Sequence, residues 1–175
     1  MTEMIRQNYR SEIFIKGAMD RWGSAVFKLA FAQTASKADA EDVYQEVFIR
    51  LFKDKSFFND DEHLKAWLLR VTINCCRDLA RLKYNRKITN IDDLKEQAAQ
   101  SSTTTLEVEH DLTRALEALP ENMRAAIHLY YYEGYSSEDI ARIMDTESST
   151  IRSRLQRARE QLKTLLGGAS YGTYE

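Results

Sequence analysis

Residues 136–160, SSEDIARIMDTESSTIRSRLQRARE, decide the fold class of this 175-residue chain. An S-x-x-D capping pattern starts at Ser136 and predicts a helix over 137–144. After a three-residue break, Ser148 is a good N-cap for a second, basic helix over 148–166. A short helix, a tight break and a capped basic helix are typical of a helix-turn-helix.

The second helix of this pair has an apolar and a polar face at 100° per residue. Its apolar stripe is Ile151, Leu155, Ala158, Leu162 and Leu165. On the opposite face, arginine and glutamine suit base edges in a major groove, and hydroxyls suit phosphates. The candidate DNA-reading residues are Ser149, Thr150, Arg152, Ser153, Gln156 and Arg157. An ordinary amphipathic hairpin with a solvated basic face is the alternative.

The rest of the chain is also predicted to be helical, because periods of three and four dominate and no long period-2 run appears. Helices are predicted over 5–33 (one, or two broken near Gly17 and Gly23), 40–53, 62–86, 107–119, 120–133, 137–144 and 148–166. Asp39 is expected to cap the helix over 40–53. Pro120 suits the start of the helix over 120–133, and Gly134 suits its end.

A polar stretch separates two helical regions. QAAQSSTTT, residues 97–105, has no periodic apolar face and is typical of a linker. The prediction is an all-α protein whose two helical domains, 1–90 and 108–167, are joined by a flexible linker over 91–107, with a tail over 168–175. The second domain is expected to have four helices and to end in the helix-turn-helix.

The composition, 43% apolar and 30% charged, is that of a globular protein. The 25 basic and 27 acidic residues give a net charge of −2, which does not by itself indicate a nucleic-acid binder. The charge is uneven, however. Residues 61–90 hold seven basic and three acidic side chains, residues 91–121 two and eight, and residues 148–175 five and two. Two basic segments suggest two contacts with a polyanion, although uneven charge is also common on helical surfaces.

The two cysteines, Cys75 and Cys76, are adjacent. Adjacent cysteines strain to pair with each other and cannot form a zinc site alone, so a reduced, cytoplasmic compartment is expected. No apolar run approaches the ~18 residues of a membrane span, and no secretory signal is expected at the N-terminus.

The helix over 62–86 carries a second candidate DNA surface. Its predicted core stripe is Leu64, Leu68, Val71, Cys75, Leu79 and Leu82, with Trp67 at the edge. About 100° away lies a row of cations around one amide: Arg70, Asn74, Arg77 and Arg81. Such a row suits a phosphate backbone and one base, and the aromatic loop with Phe57 and Phe58 suits an unstacked base. A solvated face is the alternative.

The helix over 40–53 has a broad apolar side, formed by Val43, Tyr44, Val47, Phe48 and Leu51. Its other side groups Asp42, Gln45, Glu46 and Ile49. An acidic patch with an apolar centre is typical of a protein-docking surface, although a solvated face is again the alternative.

These segments together resemble the extracytoplasmic-function (ECF) sigma factors of bacterial RNA polymerase. DAEDVYQEVF, residues 39–48, resembles the region 2 helix that docks on the polymerase clamp. Residues 63–78 resemble the promoter-melting helix, and residues 119–159 resemble region 4. The resemblance extends over about residues 10–166, with both domains in the family's order.

The resemblance implies a transcription-initiation factor with no catalytic site, no cofactor and no metal. The implied partners are core RNA polymerase, promoter DNA and an anti-sigma factor; the chain is expected to be monomeric and not inserted in a membrane. Asp42, Gln45 and Glu46 match clamp-contact positions, and Asn74 matches a position that meets a flipped base of the −10 element, in a pocket walled by the loop near 57–61. Arg152, Ser153, Gln156 and Arg157 match positions that read the −35 element.

Two departures from the family pattern matter. The turn of the helix-turn-helix, Met144-Asp145-Thr146, has Asp where many members have Gly. Gln156 occupies a position that varies within the family, so a −35 sequence does not transfer.

Three other functions remain open. A stand-alone helix-turn-helix regulator would bind its operator without polymerase, and a pure adaptor would bind polymerase but not DNA. An enzyme is disfavoured because His63, His110 and His128 are scattered, and no P-loop or G-x-G-x-x-G motif is present.

Overall fold

The computed structural model describes residues 10–89 and 107–167 of the chain. Two compact units, Met1–Ala99 and Gln100–Glu175, are defined by its internal contacts. The regular structure in the described residues is entirely helical, as predicted. The predicted tail, and all of the predicted linker except its last residue, lie outside the described residues.

In the part of the first unit that the structure describes, three helices pack together: α1 (Glu12–Thr34), α2 (Lys37–Lys53) and α3 (Asp61–Thr89). Helix α1 is continuous and is not broken at its glycines. Gly23 serves a close approach instead, because a Cβ at this position would lie 2.8 Å from the hydroxyl of Tyr44 on α2. The buried core of the unit is Ala18, Val26, Ala30, Ala40, Val43, Val47, Phe48, Leu51, Leu64, Leu68, Val71, Cys75 and Cys76.

The cap predicted for α2 is wrong. Ser36, not Asp39, is the N-cap, and its hydroxyl accepts a hydrogen bond from the Asp39 backbone N–H at 3.3 Å. The helix therefore begins three residues before the predicted start. The Asp39 carboxylate instead forms an ion pair with Lys83 on α3. Asp60 precedes α3 and caps its first turn, because its Oδ1 accepts a hydrogen bond from the backbone N–H of His63 at 2.7 Å.

The predicted core stripe of α3 holds for its first half only. Leu64, Leu68, Val71 and Cys75 are buried and Leu79 is partly buried, but Leu82 is 55% exposed. Every described side chain from position 80 to position 88 is exposed. Helix α3 extends beyond the core that it forms with α1 and α2. Apolar side chains spaced at the helical period are therefore not buried in its last part. Trp67 is partly buried against the core, as expected for the edge of the stripe.

The two adjacent cysteines are buried and form no disulfide bond. Burial raises the pKa of the Cys75 thiol to about 11, although the nearby Arg50 opposes the shift. A thiol with this pKa stays protonated at neutral pH and is a poor nucleophile. Cys75 therefore acts as a small apolar core residue.

The described residues of the second unit form four α-helices: α4 (Glu107–Glu117), α5 (Glu121–Ile127), α6 (Ser137–Ile143) and α7 (Ser148–Leu165). Helices α6 and α7 are the predicted helix-turn-helix. The capping pattern at Ser136 is confirmed, because its hydroxyl accepts from the Asp139 N–H at 3.1 Å. Ser148, however, is not the cap of α7: the N-cap is Glu147, which makes no side-chain capping hydrogen bond.

The single helix predicted over 120–133 is wrong in its second half. After α5 the chain forms a π-helical turn, His128–Tyr132, in which the Glu133 N–H donates to the carbonyl of His128 at 3.2 Å. Gly134 ends the segment at φ +73°, as expected for a glycine after a helix. Pro120 precedes α5 as its N-cap.

The turn between α6 and α7 bends through Asp145, whose φ is +50°. The N–H of Thr146 then donates to the carbonyl of Ala141 at 2.9 Å, which closes the end of α6. A glycine adopts this left-handed conformation without steric cost, whereas aspartate tolerates it at a modest cost. The departure from the family pattern therefore changes the residue and keeps the glycine-like backbone.

We expect opposite effects from two substitutions at left-handed positions. Asp145→Gly should stabilise the second unit by about 0.5 kcal/mol, because relief of strain exceeds the added chain entropy. Gly134→Ala should destabilise it by about 1 kcal/mol, since a Cβ is strained at φ +73° even with open space around it. Urea unfolding of the two variants measures both changes. Shifts in the same direction would contradict this account of the turn.

Candidate functional site

The middle of α3 exposes very few side chains. From Leu68 to Cys76 every residue is buried except Arg70 and Asn74. These two are four residues apart and therefore lie one above the other on the same helix face. The side chain amide of Asn74 is thus exposed on an otherwise buried segment, with the guanidinium of Arg70 one helix turn away.

The other two arginines of the predicted row continue along α3. Arg77 is half-buried, and Arg81 is exposed on the part of the helix that has no core beneath it. A guanidinium on an exposed helix surface suits contact with a phosphate backbone. The row therefore changes from a packed surface at Arg70 to an open one at Arg81.

The loop between α2 and α3 orients its two phenylalanines in different ways. Phe58, the predicted aromatic of the DNA site, is partly buried and makes an edge contact with Trp67, at 5.7 Å between ring centres. Phe57 is 82% exposed. Phe57 is therefore the ring that is open to a ligand, whereas the ring that the sequence assigned to the DNA site is Phe58. In an extended loop, successive side chains point to opposite sides, which was the only sequence signal that the two rings differ in exposure.

The predicted docking face on α2 is organised by an ion-pair network. Asp42, Gln45 and Ile49 are exposed, whereas Glu46 is half-buried and accepts from Nε of Arg50 at 2.7 Å. Arg50 also pairs with Asp78 of α3, at 3.7 Å. The hydrogen bond that Arg50 donates to Glu46 raises the pKa of Arg50, which keeps this side chain charged.

A groove of about 290 Å³ lies between α2 and α3 on this face. It is lined by Asp42, Val43, Glu46, Arg50, Cys75, Asp78, Leu79 and Leu82. Leu82, which is too exposed to be core, forms part of this wall. The sequence reasoning found the acidic side of the groove and missed the arginine and the residues of α3, because they meet only in the folded unit.

The predicted DNA-reading face of α7 is accessible. Ser149, Arg152, Gln156 and Arg157 are exposed, and Thr150 and Ser153 are half-buried. Two of these side chains are paired within the unit. Arg152 Nη1 lies 3.0 Å from Oε1 of Glu138 on α6, and the Gln156 amide donates to Oε1 of Glu160 at 3.1 Å. The sequence reasoning did not anticipate either acidic partner.

A second surface that the sequence reasoning missed is an apolar groove of about 320 Å³ in the second unit. It is lined by Leu112, Leu116, Ile127, Tyr131, Tyr132, Arg159 and Leu162. Three consecutive tyrosines at 130–132 were a visible signal, since three large rings in one helix turn cannot all be buried.

The described histidines have structural contacts. His63 Nδ1 accepts from the N–H of Asn59 at 3.3 Å, and His128 stacks on Tyr132 with ring centres 5.0 Å apart. The side chain of His110 lies outside the described residues. Over the ranges that the structure covers, no group of three or more His, Cys, Asp or Glu side chains is placed to hold a metal ion. No described helix is both long and apolar enough to cross a membrane.

Both units match families of known proteins. Residues 18–86 match the family model of sigma-70 region 2, and residues 109–162 match that of sigma-70, region 4. The ECF RNA polymerase sigma factor SigM of Bacillus subtilis is 33% identical over 144 residues, which cover 80% of this chain and 87% of the relative. The ECF RNA polymerase sigma factor SigE of Mycolicibacterium smegmatis is 30% identical over 154 residues, and the match spans 85% of this chain and 60% of that relative.

Solved structures of two other proteins have a fold similar to that of this chain. The sigma factor RpoE from Bartonella quintana, in complex with the anti-sigma factor NepR, matches with a TM-score of 0.68 and 28% identity, over 86% of this chain and 95% of that one. CnrH, in complex with the cytosolic domain of CnrY, shares the fold with a TM-score of 0.64 at 23% identity, over 91% of this chain and 92% of that one.

The two family matches together define one class, the sigma-70 transcription factors. Within that class, the chain belongs to the ECF sigma factors, which act as alternative sigma factors in transcription initiation.

The pairing of Arg152 with Glu138 leads to a prediction about DNA affinity. Glu138→Gln should tighten binding to a random-sequence duplex about threefold, the effect of removing a like charge about 6 Å from a phosphate, or roughly 0.7 kcal/mol. Its stability should stay near that of the wild type, because both partners are 58% exposed and surface pairs contribute little. Fluorescence anisotropy over a salt series measures the affinity.

The matched control is Glu41→Gln, which makes the same charge change in the other unit. Equal affinity for Glu138→Gln and the wild type at every salt concentration would contradict the placement of Arg152 on the DNA face.

Proposed function

We propose that this ECF sigma factor divides its task among three surfaces. The face of α2 with Asp42, Gln45, Glu46 and Ile49 docks on core RNA polymerase. The α3 row and the aromatic loop capture a base of the −10 element. The polar face of α7 reads the −35 element.

Base capture is supported above all by the exposure pattern of α3. Asn74 is one of only two exposed side chains in a nine-residue buried segment, and an amide can donate to and accept from a base edge. Arg70, Arg77 and Arg81 follow the backbone of the strand from which the base is taken. Stacking on Phe57 offsets part of the unstacking free energy, which is a few kcal/mol for each flipped base.

The docking proposal rests on chemistry that differs from that of the DNA faces. The α2 face combines carboxylates with the exposed Ile49, and charge complementarity with an apolar centre is typical of protein interfaces. A chain of net charge −2 has little general attraction for DNA. Attachment to the polymerase raises the effective concentration of both DNA-reading faces at a promoter.

The −35 proposal rests on the accessible face of α7. Arg152 and Arg157 supply the guanidinium groups that suit a guanine edge, and Gln156 supplies an amide that suits adenine. Ser149, Thr150 and Ser153 supply hydroxyl groups for phosphates.

The same proposal assigns the domains and the setting of the protein. Residues 1–90 dock and melt, 91–107 link, 108–167 read the −35 element and 168–175 form a tail. The chain acts in the cytoplasm as a monomer, without a cofactor and without catalysis of its own. An anti-sigma factor is a proposed partner, because the sigma factor RpoE was solved in complex with the anti-sigma factor NepR.

The docking face is tested by binding to core polymerase. The Asp42/Gln45/Glu46 triple-alanine variant should bind purified bacterial core enzyme at least tenfold more weakly, as expected when the centre of an interface is removed. Ile49→Ala is the cleaner single variant, because Glu46 also holds Arg50. Glu12→Ala, an exposed acidic residue on α1, is the control and should bind as the wild type does. Failure of the wild type to bind a competent core enzyme would favour the stand-alone regulator.

The capture residue is tested by promoter opening. Asn74→Ala should reduce open complexes about tenfold on a promoter selected by run-off transcription, because one or two hydrogen bonds to the base are lost. Permanganate footprinting measures the open fraction. On a template already mismatched across the −10 element the deficit should shrink, since the duplex no longer resists opening. Normal opening of the intact promoter by Asn74→Ala would contradict base capture.

A further inference from the structure

One arginine at the start of the first unit holds the loop that carries Phe57. The Nη2 atom of Arg10 donates to the backbone carbonyl of Ser56 and lies 3.4 Å from Oδ1 of Asp54. The backbone N–H of Arg10 donates to the carbonyl of Phe52 at 3.1 Å, near the end of α2. Arg10 therefore joins the residues before α1 to the chain just after α2.

The same guanidinium lies between two aromatic rings. Its central carbon is 4.8 Å from the ring centre of Phe14 on α1 and 4.6 Å from that of Phe58 in the loop. Cation–π contacts of this kind gain strength when the cation is shielded from water, and the Arg10 side chain is only 17% exposed. The arginine is thus poorly placed to neutralise a DNA phosphate, and its role must lie within the protein.

These contacts grip the loop on both sides of Phe57. Ser56, on one side, is held through its carbonyl by Arg10 and through its N–H by Asp54 Oδ1, at 2.7 Å. Phe58, on the other side, is held between Arg10 and Trp67. With both neighbours fixed, the ring of Phe57 is presented to solvent.

We propose that Arg10 is a positioning residue that orders the 54–58 loop before DNA arrives, so that Phe57 stacks on the base captured by Asn74. This inference rests on the proposed function, and it adds the side chain that presents the stacking ring. A loop that is ordered in advance loses less conformational entropy on binding, so affinity and base selectivity both increase. Arg10 acts through the loop and does not touch the DNA.

The test uses holoenzyme reconstituted from core polymerase and full-length variants. The probe is a pool of single-stranded DNA randomised across the −10 positions, and the bound fraction is sequenced. The wild type should enrich one base at one position or more. Arg10→Met and Phe57→Ala should each reduce that enrichment about tenfold, the loss expected from disorder of the loop or removal of one stacked ring.

Arg21→Met is the matched control. It removes another arginine of the same unit, one that pairs with both carboxylate oxygens of Asp61, the first residue of α3, at 2.6 Å. It should lower stability slightly and leave the enrichment intact. Arg10→Lys keeps a cation near the rings and should recover part of the selectivity. Hydrogen exchange at the Ser56 amide should be faster in Arg10→Met than in Arg21→Met.

The outcomes separate this inference from the function on which it rests. If Asn74→Ala loses enrichment while Arg10→Met and Phe57→Ala keep it, the positioning role is wrong and base capture stands. If Arg10→Met and Arg21→Met lose enrichment equally, Arg10 is only a structural tie, and the inference is overturned. If the wild type enriches no base, base capture is wrong and the role of Arg10 fails with it. Should Arg10→Met not fold, Phe57→Ala and Arg10→Lys still decide, because neither removes the central cation.

Discussion

The burial of α3 against α1 and α2 is the constraint on which the first unit depends. Leu64, Leu68, Val71 and Cys75 fill one side of the helix and fix its rotation about its own axis. That rotation determines which side chains remain outside, and it leaves Arg70 and Asn74 exposed. The same packing forms the groove with α2 and sets where the aromatic loop must end. A single apolar stripe therefore positions both the proposed docking surface and the proposed melting surface.

Some arginines on the candidate functional surfaces are paired with carboxylates of the same protein. Arg50 is held between Glu46 and Asp78, and Arg152 is held by Glu138. Each carboxylate orients a guanidinium and also lowers the local positive potential. Such pairing agrees with a net charge of −2 and with the proposal that the two DNA faces act only when the polymerase holds them at a promoter. In that proposal, affinity comes from attachment to the polymerase and the faces supply selectivity.

The sequence was informative wherever a local rule was sufficient. Apolar periodicity predicted the all-α architecture and the helix-turn-helix, and the S-x-x-D pattern predicted the cap at Ser136. The same S-x-x-D pattern starts at Ser36, so the start of α2 was also encoded in a local rule. The exposure of Leu82 was not, because periodicity does not reveal how far the neighbouring helices extend.

The contacts that refine the site are mostly long-range. Arg10 meets Asp54 and Ser56 across more than forty residues, and Arg152 meets Glu138 across a turn whose geometry depends on Asp145. No local pattern encodes such pairs, because they depend on how separate helices pack. The π-helical turn at His128–Tyr132 is local, but apolar periodicity does not distinguish it from an α-helix.

The exposure pattern of α3 has a consequence for engineering promoter preference. Most surface helices offer a whole face on which new side chains are accommodated freely. Here, between Leu68 and Cys76, the protein offers only Arg70 and Asn74, and every other change would disturb buried packing. Under the proposed base capture, a search for altered −10 selectivity on this segment therefore needs only these two positions, and its variants keep the packing of the first unit.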